Sequence, residues 1–228
     1  MNKNEFTNYA IKHMGISSNN LNYYEKAVLA SQTPYILEER EMRVSQLDIF
    51  SRMMLDREIW FTTPVNTTVC TITQAQLMFL DSLGSKDIKL NISSPGGEVC
   101  AGLSLLDTMN YVSSDIVTIN LGMAASMGSI LVSSGTKGKR FSLKHSRIMI
   151  HQVSSGASGV ISDMRISLQE AEKYNDILFN ILAENTGKTK EQVLLDAERD
   201  RWFSSEEALE YGLIDEIIVK KRSKNSKK

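Results

Sequence analysis

Two residues in this chain of 228 stand where side-chain chemistry is most easily done. Ser126 lies in Gly122-Met123-Ala124-Ala125-Ser126-Met127-Gly128, just ahead of the apolar, glycine-bounded segment Met127–Ser134. A serine among small residues before a helix can present its hydroxyl in a sharp turn with little crowding. The helix start adds unpaired N–H groups and positive dipole to stabilise a developing oxyanion. Small residues before a helix also serve close packing, so this motif needs a partner. A serine hydroxyl is a weak nucleophile until a base takes its proton, and the chain offers three histidines, His13, His145 and His151. His13 is in the polar N-terminal stretch and His145 in the polar loop Ser142–Ser146. His151 ends the apolar run Ile148-Met149-Ile150, where a strand hands over to a loop and α/β proteins place working residues. A histidine there can simply be satisfied by its neighbours, but beside Ser126 the pair points to acyl transfer.

A second glycine-rich turn, Ser94-Pro95-Gly96-Gly97-Glu98, has two readings. It is an ordinary strand-to-helix turn, or it aims a backbone N–H at a substrate oxygen. Neither GxxxxGK[ST] nor GxGxxG is present to support phosphate binding. The residue that would orient the histidine is not chosen by spacing, since Asp163, Asp196, Asp200 and Asp215 are all available.

These residues need elements to hold them. Ile88–Ser93 reads as a strand, followed by helical spacing through Val99, Leu103, Leu106, Met109 and Val112. Ile116–Asn120 and Arg147–Gln152 read as further strands, and Ala171, Tyr174, Leu178, Ile181 and Leu182 mark a longer helix. Ser204-x-x-Glu207 is a capping box, Gly212 sits at the helix stop, and Ile214–Val219 closes the core as a strand. Such alternation predicts an α/β fold with largely parallel pairing.

With 42% hydrophobic and 23% charged residues, the chain can bury one substantial core. A net charge of -1 gives no reason to expect a nucleic-acid partner. No apolar run approaches the roughly 20 residues of a membrane span, and Met1–His13 lacks the apolar core of a secretory signal. Cys70 and Cys100 are too few for a disulfide framework or a structural zinc site and suit a reducing compartment. A cytoplasmic location is the expectation. The tail Lys220–Lys228 holds six basic residues and reads as disordered; removing its charges from -1 leaves -7 on the remainder. The first 34 residues form a separable region with a short helix expected near Leu21–Leu29, closed by Pro34.

Taken in order, Ser93–Gly97, Gly122–Gly128, Lys139-Arg140-Phe141, Ser146–Gln152 and Glu198-Arg199-Asp200-Arg201 resemble the proteolytic-subunit family of Clp proteases (ClpP). Asp48–Arg52 and Glu207–Asp215 are similar to that family as well, and the resemblance runs from about Pro34 to Val219. It implies a crotonase-like, ClpP-type α/β fold with stacked sheets and an extended handle of strand plus long helix, here Val153–Val160 and Ile161 to Glu184. It implies Ser126 as nucleophile, His151 as general base and Asp200 as its orienting acid, with Gly97 and Met127 N–H groups as the oxyanion hole. Two stacked heptameric rings, a separate hexameric AAA+ ATPase and unfolded polypeptide substrates are further implications, with no cofactor or metal in this chain. Residues 1–34 resemble a processed leader, and Tyr35–Val44, within a segment reaching residue 50, would line an axial pore. Partner docking would involve Asn91, Tyr111 and Phe141. The chain departs from the family at Asn91, often aromatic there, at Lys89, at Val153 after His151-Gln152, at Ser155-Gly156-Ala157 and at Thr62-Thr63-Pro64. These departures bear on docking and on whether rings are mixed with a paralogue. A non-catalytic ring subunit and an acyl-CoA hydratase or isomerase of the same fold are the alternatives.

Overall fold

The computed structural model describes residues 35–40, 43–154, 156 and 158–219. The expected leader at 1–34 with its short helix, the basic tail 220–228, and Ser155 and Ala157 of the handle lie outside the described residues. The chain divides into two compact units, Met1–Arg52 and Met53–Lys228.

In the first unit, β1 (Tyr35–Arg40) and β2 (Arg43–Asp48) pair antiparallel, from Tyr35 opposite Asp48 to Arg40 opposite Arg43. The helix α1 (Ile49–Leu55) starts at Asp48, whose carboxylate accepts from the N–H groups of Phe50 (3.0 Å) and Ser51 (3.1 Å) and from the Ser51 hydroxyl. These donors satisfy amides that a helix start leaves open, and they hold the Asp48 carboxyl below its usual range.

The second unit carries the predicted alternation. Its elements are β3 (Glu58–Phe61), α2 (Thr67–Ser82), β4 (Ile88–Ser94), α3 (Val99–Tyr111), β5 (Ile116–Ala125), α4 (Met127–Ser133), β6 (Arg140–Leu143) and β7 (Arg147–Ile150). They continue as α5 (Ile161–Thr186), α6 (Lys190–Asp196), β8 (Arg201–Ser204), α7 (Ser205–Tyr211) and β9 (Glu216–Ile218). The sheet runs β3-β4-β5-β6-β9 in parallel, and it forks at β5. Thr118–Asn120 pair with β6, whereas Met123–Ala125 pair with β7, which then pairs antiparallel with β8. The buried face is apolar, with Leu77, Ile88, Leu90, Ile92, Leu105, Leu131 and Ile148 fully enclosed. Each such side chain contributes about 1.5–3 kcal/mol by leaving water.

Several boundaries differ from the sequence reading for identifiable reasons. β5 continues five residues past Asn120, through Gly122, because the strand exchanges one parallel partner for another there. β7 stops at Ile150 rather than Gln152, since the Gln152 N–H leaves the ladder for the Ala197 carbonyl. β9 begins at Glu216, two residues after the buried Ile214. The helix α2 was not foreseen, although Asn66 caps it by accepting from Val69 N–H, and Cys70, Thr73, Leu77 and Leu80 recur on its buried side. Likewise α6, capped by Thr189, and the short strands β3, β6 and β8 were not anticipated. The handle helix ends two residues later than expected, at Thr186, with Gly187 in the left-handed region as its C-cap. The strand expected before it is not formed among the described residues of 153–160. A strand needs a partner ladder, and no described strand pairs with this segment.

The end of the sheet away from the expected site is tied by two polar groups. Arg57, held at φ 62°, sends its guanidinium to the carbonyls of Leu80, Gly84, Lys86 and Asp87 and to the Ser114 hydroxyl. Asp81 accepts from Ser114 N–H (2.9 Å), from Ser114 Oγ (2.7 Å) and from Ser113 Oγ (3.0 Å). These bonds, with the Ser114 hydroxyl foremost, draw the Asp81 carboxyl from 3.8 down to about 2. A depressed carboxyl stabilises the fold fully above its unfolded value and loses that contribution as pH falls through the folded one. Asp81→Asn is therefore expected to lower the melting temperature near neutral pH. The gap from wild type should close between about pH 4 and pH 2, and a gap constant across that range would refute the assignment.

Candidate active site

Backbone pairing assembles the site. β5 and β7 run parallel with Met123 opposite Arg147 and Ala125 opposite Met149, and the ladder is extended by Ser126 N–H donating to Met149 O at 2.9 Å. β7 and β8 run antiparallel with Arg147 opposite Ser204 and Ile150 opposite Arg201. One step further, that register sets His151 opposite Asp200. The serine at the end of β5, the histidine at the end of β7 and the aspartate before β8 thus converge.

The side chains complete what the register begins. His151 Nε2 stands 2.8 Å from Ser126 Oγ, and His151 Nδ1 stands 3.1 Å from Asp200 Oδ1. With the proton on Nδ1 facing the carboxylate, Nε2 presents its lone pair to the serine hydroxyl, as a general base requires. Ser126 adopts φ 54°, ψ -125°, one of two described non-glycine residues at positive φ. Such a conformation persists only where the surroundings over-determine it. Here Ser126 O accepts from both the N–H (2.9 Å) and the hydroxyl (2.7 Å) of Ser129, while its own N–H is held by Met149.

The turn after β4 closes on this serine at very short range. A Cβ on Gly96 would lie 2.6 Å from Ala125 O and from Ser126 Cβ, and 3.0 Å from Met127 N. At Gly97 (φ 148°) a Cβ would meet Val65 O at 2.3 Å. Val65 brackets that glycine, its N–H donating to Gly96 O and its carbonyl accepting from Glu98 N–H, both at 2.9 Å. Among the described residues, the N–H groups of Gly97 and Met127 donate to no group of the chain. Two free amides flanking an activated hydroxyl suit an oxyanion.

A cavity of about 230 Å³ opens beside Ser126 and His151, walled by Ile130, Ile150 and the α5 residues Leu178, Phe179 and Leu182. It suits an apolar side chain. Sequence reasoning missed this wall, and it also missed Gln152, Asn175 and Val65 as supports, because their partners are backbone atoms or distant residues that no local pattern marks.

The three residues expected for docking separate. Cross-strand register sets Trp60, Asn91, Ile119 and Phe141 in one row across β3, β4, β5 and β6. Tyr111 is outside that row, at the C-terminal end of α3, and is 79% exposed. Asn91 is only 5% exposed and its Nδ2 has no hydrogen-bond partner. His145 lies in an exposed turn between β6 and β7, away from the serine ladder.

A sequence profile of the family described as Clp protease matches residues 39–221. A protein of Bacteroides fragilis named ATP-dependent Clp protease proteolytic subunit is 47% identical over 218 residues, covering 95% of this chain and 99% of that protein. Proteins of the same name from Porphyromonas gingivalis (96% of this chain, 99% of that protein) and Bacteroides thetaiotaomicron (95% and 99%) are each 46% identical.

The orphaned Asn91 amide has an energetic consequence. A buried donor without an acceptor forfeits about 1–3 kcal/mol. Asn91→Leu, close in volume and free of that donor, is expected to raise the melting temperature of the purified protein. An unchanged or lower value would mean that the amide is satisfied in solution.

Proposed function

This chain belongs to the Clp protease family, and from that premise we propose that Ser126, His151 and Asp200 are the working triad of a self-compartmentalised peptidase. The chain is a Clp-type serine endopeptidase. The observation that carries the triad is the unbroken line from Asp200 Oδ1 through His151 to Ser126 Oγ, at 3.1 and 2.8 Å.

Each step follows from that line. Ser126 Oγ attacks a peptide carbonyl carbon while His151 Nε2 takes the hydroxyl proton, and Asp200 stabilises the imidazolium that results. The carbonyl oxygen, now negative, turns toward the Gly97 and Met127 N–H groups, which cost no reorganisation because nothing else among the described residues claims them. His151 returns the proton to the amine nitrogen, the C–N bond breaks, and an ester remains on Ser126. Water attacks that ester with His151 again as base, releasing the carboxylate and restoring the serine. The apolar wall of Leu178, Phe179 and Leu182 receives the substrate side chain beside the cut. Its lining holds no Asp or Glu among the described residues, whereas a hydratase of this fold would need acidic groups at the acyl position.

The relatives' name couples them to ATP, and this chain is read as working with a Clp ATPase. The partner is a hexameric AAA+ unfoldase that feeds unfolded polypeptide through a pore lined by Tyr35–Val44. Residues 1–34 are read as an N-terminal extension or a processed leader. The assembly is two stacked heptameric rings, homomeric or mixed with a paralogue, joined by the handle. Supporting that reading, Ile72, Met78 and Phe79 on α2 and Ile166 and Leu168 on α5 are each at least half exposed in the single chain. Partner docking is assigned to Phe141 and the exposed Tyr111, whereas Asn91, 5% exposed, offers a partner little surface. No described helix is long and apolar enough to cross a membrane, and a cytoplasmic location is proposed.

Ser126→Ala is expected to cut hydrolysis of a small fluorogenic peptide by on the order of 1,000-fold or more. It should also abolish labelling by a fluorophosphonate while leaving the assembly size unchanged. Full activity or retained labelling in that variant would overturn the triad.

A further inference from the structure

Asp200 is poorly held by its own side chain. Its side chain is 63% exposed, and among the described residues its carboxylate takes no hydrogen bond except from His151. Whether it faces Nδ1 therefore depends on the backbone that carries it, Ala197–Asp200, between the end of α6 and the start of β8. The two ends of that segment are fixed. Before it, Asp196 accepts from the Tyr211 hydroxyl at 2.8 Å and pairs with Arg201, and after it β8 enters the sheet. Its middle is caught by one residue. Gln152 donates its N–H to Ala197 O and its side-chain Nε2 to Glu198 O, both at 3.0 Å. Gln152 directly follows His151 and is itself steadied on the other side, where Val153 N–H donates to Asn175 Oδ1 at 2.9 Å.

We infer that Gln152 is a positioning residue for catalysis, a bracket that fixes the Asp200 loop to the backbone carrying His151. This role rests on the triad proposed above. Because base and bracket are consecutive residues, any shift of the His151 backbone takes the Asp200 loop along, and the 3.1 Å contact survives. Losing the side-chain bond frees Glu198 and lets the carboxylate swing into the water that already surrounds it.

The test uses the full-length assembled protein with Gln152→Met, which keeps length and neutrality but removes the donor, and with Gln152→Ala as a second variant. Peptide hydrolysis is followed at one fixed pH, with kcat and KM determined separately for each variant. The expected result is a kcat lower by about tenfold, the scale of one lost hydrogen bond, with KM unchanged. In an Asp200→Asn background the same substitution should cost nothing further, because its whole effect runs through Asp200. A wild-type kcat in both Gln152 variants would sink the bracket while leaving the triad intact. So would a loss that multiplies that of Asp200→Asn. An Asp200→Asn enzyme as fast as wild type would sink the triad, and the bracket with it.

Discussion

The site hangs on strand β7 and its two ladders. On one side it pairs parallel with the end of β5, and on the other antiparallel with β8, so four residues fix the relative placement of three segments distant in sequence. Register in a sheet is all-or-none: a slip of one residue turns every side chain to the opposite face. A slip of β7 against β5 would take His151 off Ser126, and one against β8 would take it off Asp200. Burial guards against both, since Ile148, Met149 and Ile150 are all enclosed.

The second dependence is on glycine. The oxyanion-facing turn approaches the nucleophile so closely that Gly96 has no room for a Cβ against Ala125 O, nor Gly97 against Val65 O. Gly128 is in the same position against Ser94 O, at 2.9 Å. Backbone therefore meets backbone on both sides of Ser126. Free amides survive beside the hydroxyl because no side chain fits between. Steric exclusion and electrostatics are here one feature.

Polar groups elsewhere divide between holding the frame and standing idle. Arg140 is nearly inaccessible, yet its guanidinium is matched by Asp215 and by the carbonyls of Ser133 and Asn185, so a buried charge is fully satisfied. Asp215, one of the four aspartates that spacing left open, is thus spent on structure. Asp196 is likewise taken by Tyr211 and Arg201, while Asp163 lies in the first turn of α5. Asn91, by contrast, is buried with an amide hydrogen to spare.

Much of this was legible in the chain itself. Ser126 in its run of small residues, His151 at the end of an apolar run, the capping box at Ser204 and the stop at Gly212 follow from local preferences that act within a few residues. The alternation of strand and helix follows from the same preferences, and resemblance to a family supplied Asp200 and Gly97. What remained hidden depends on partners far along the chain. The continuation of β5 through Gly122, the absence of a strand among the described residues before α5, the burial of Asn91 and the two hydrogen bonds of Gln152 to Ala197 and Glu198 were set by which backbone groups face one another after folding. Local sequence determines which residues can do chemistry. Only the tertiary ladders decide which of four aspartates meets the histidine, because hydrogen-bond register couples segments that no sequence spacing connects.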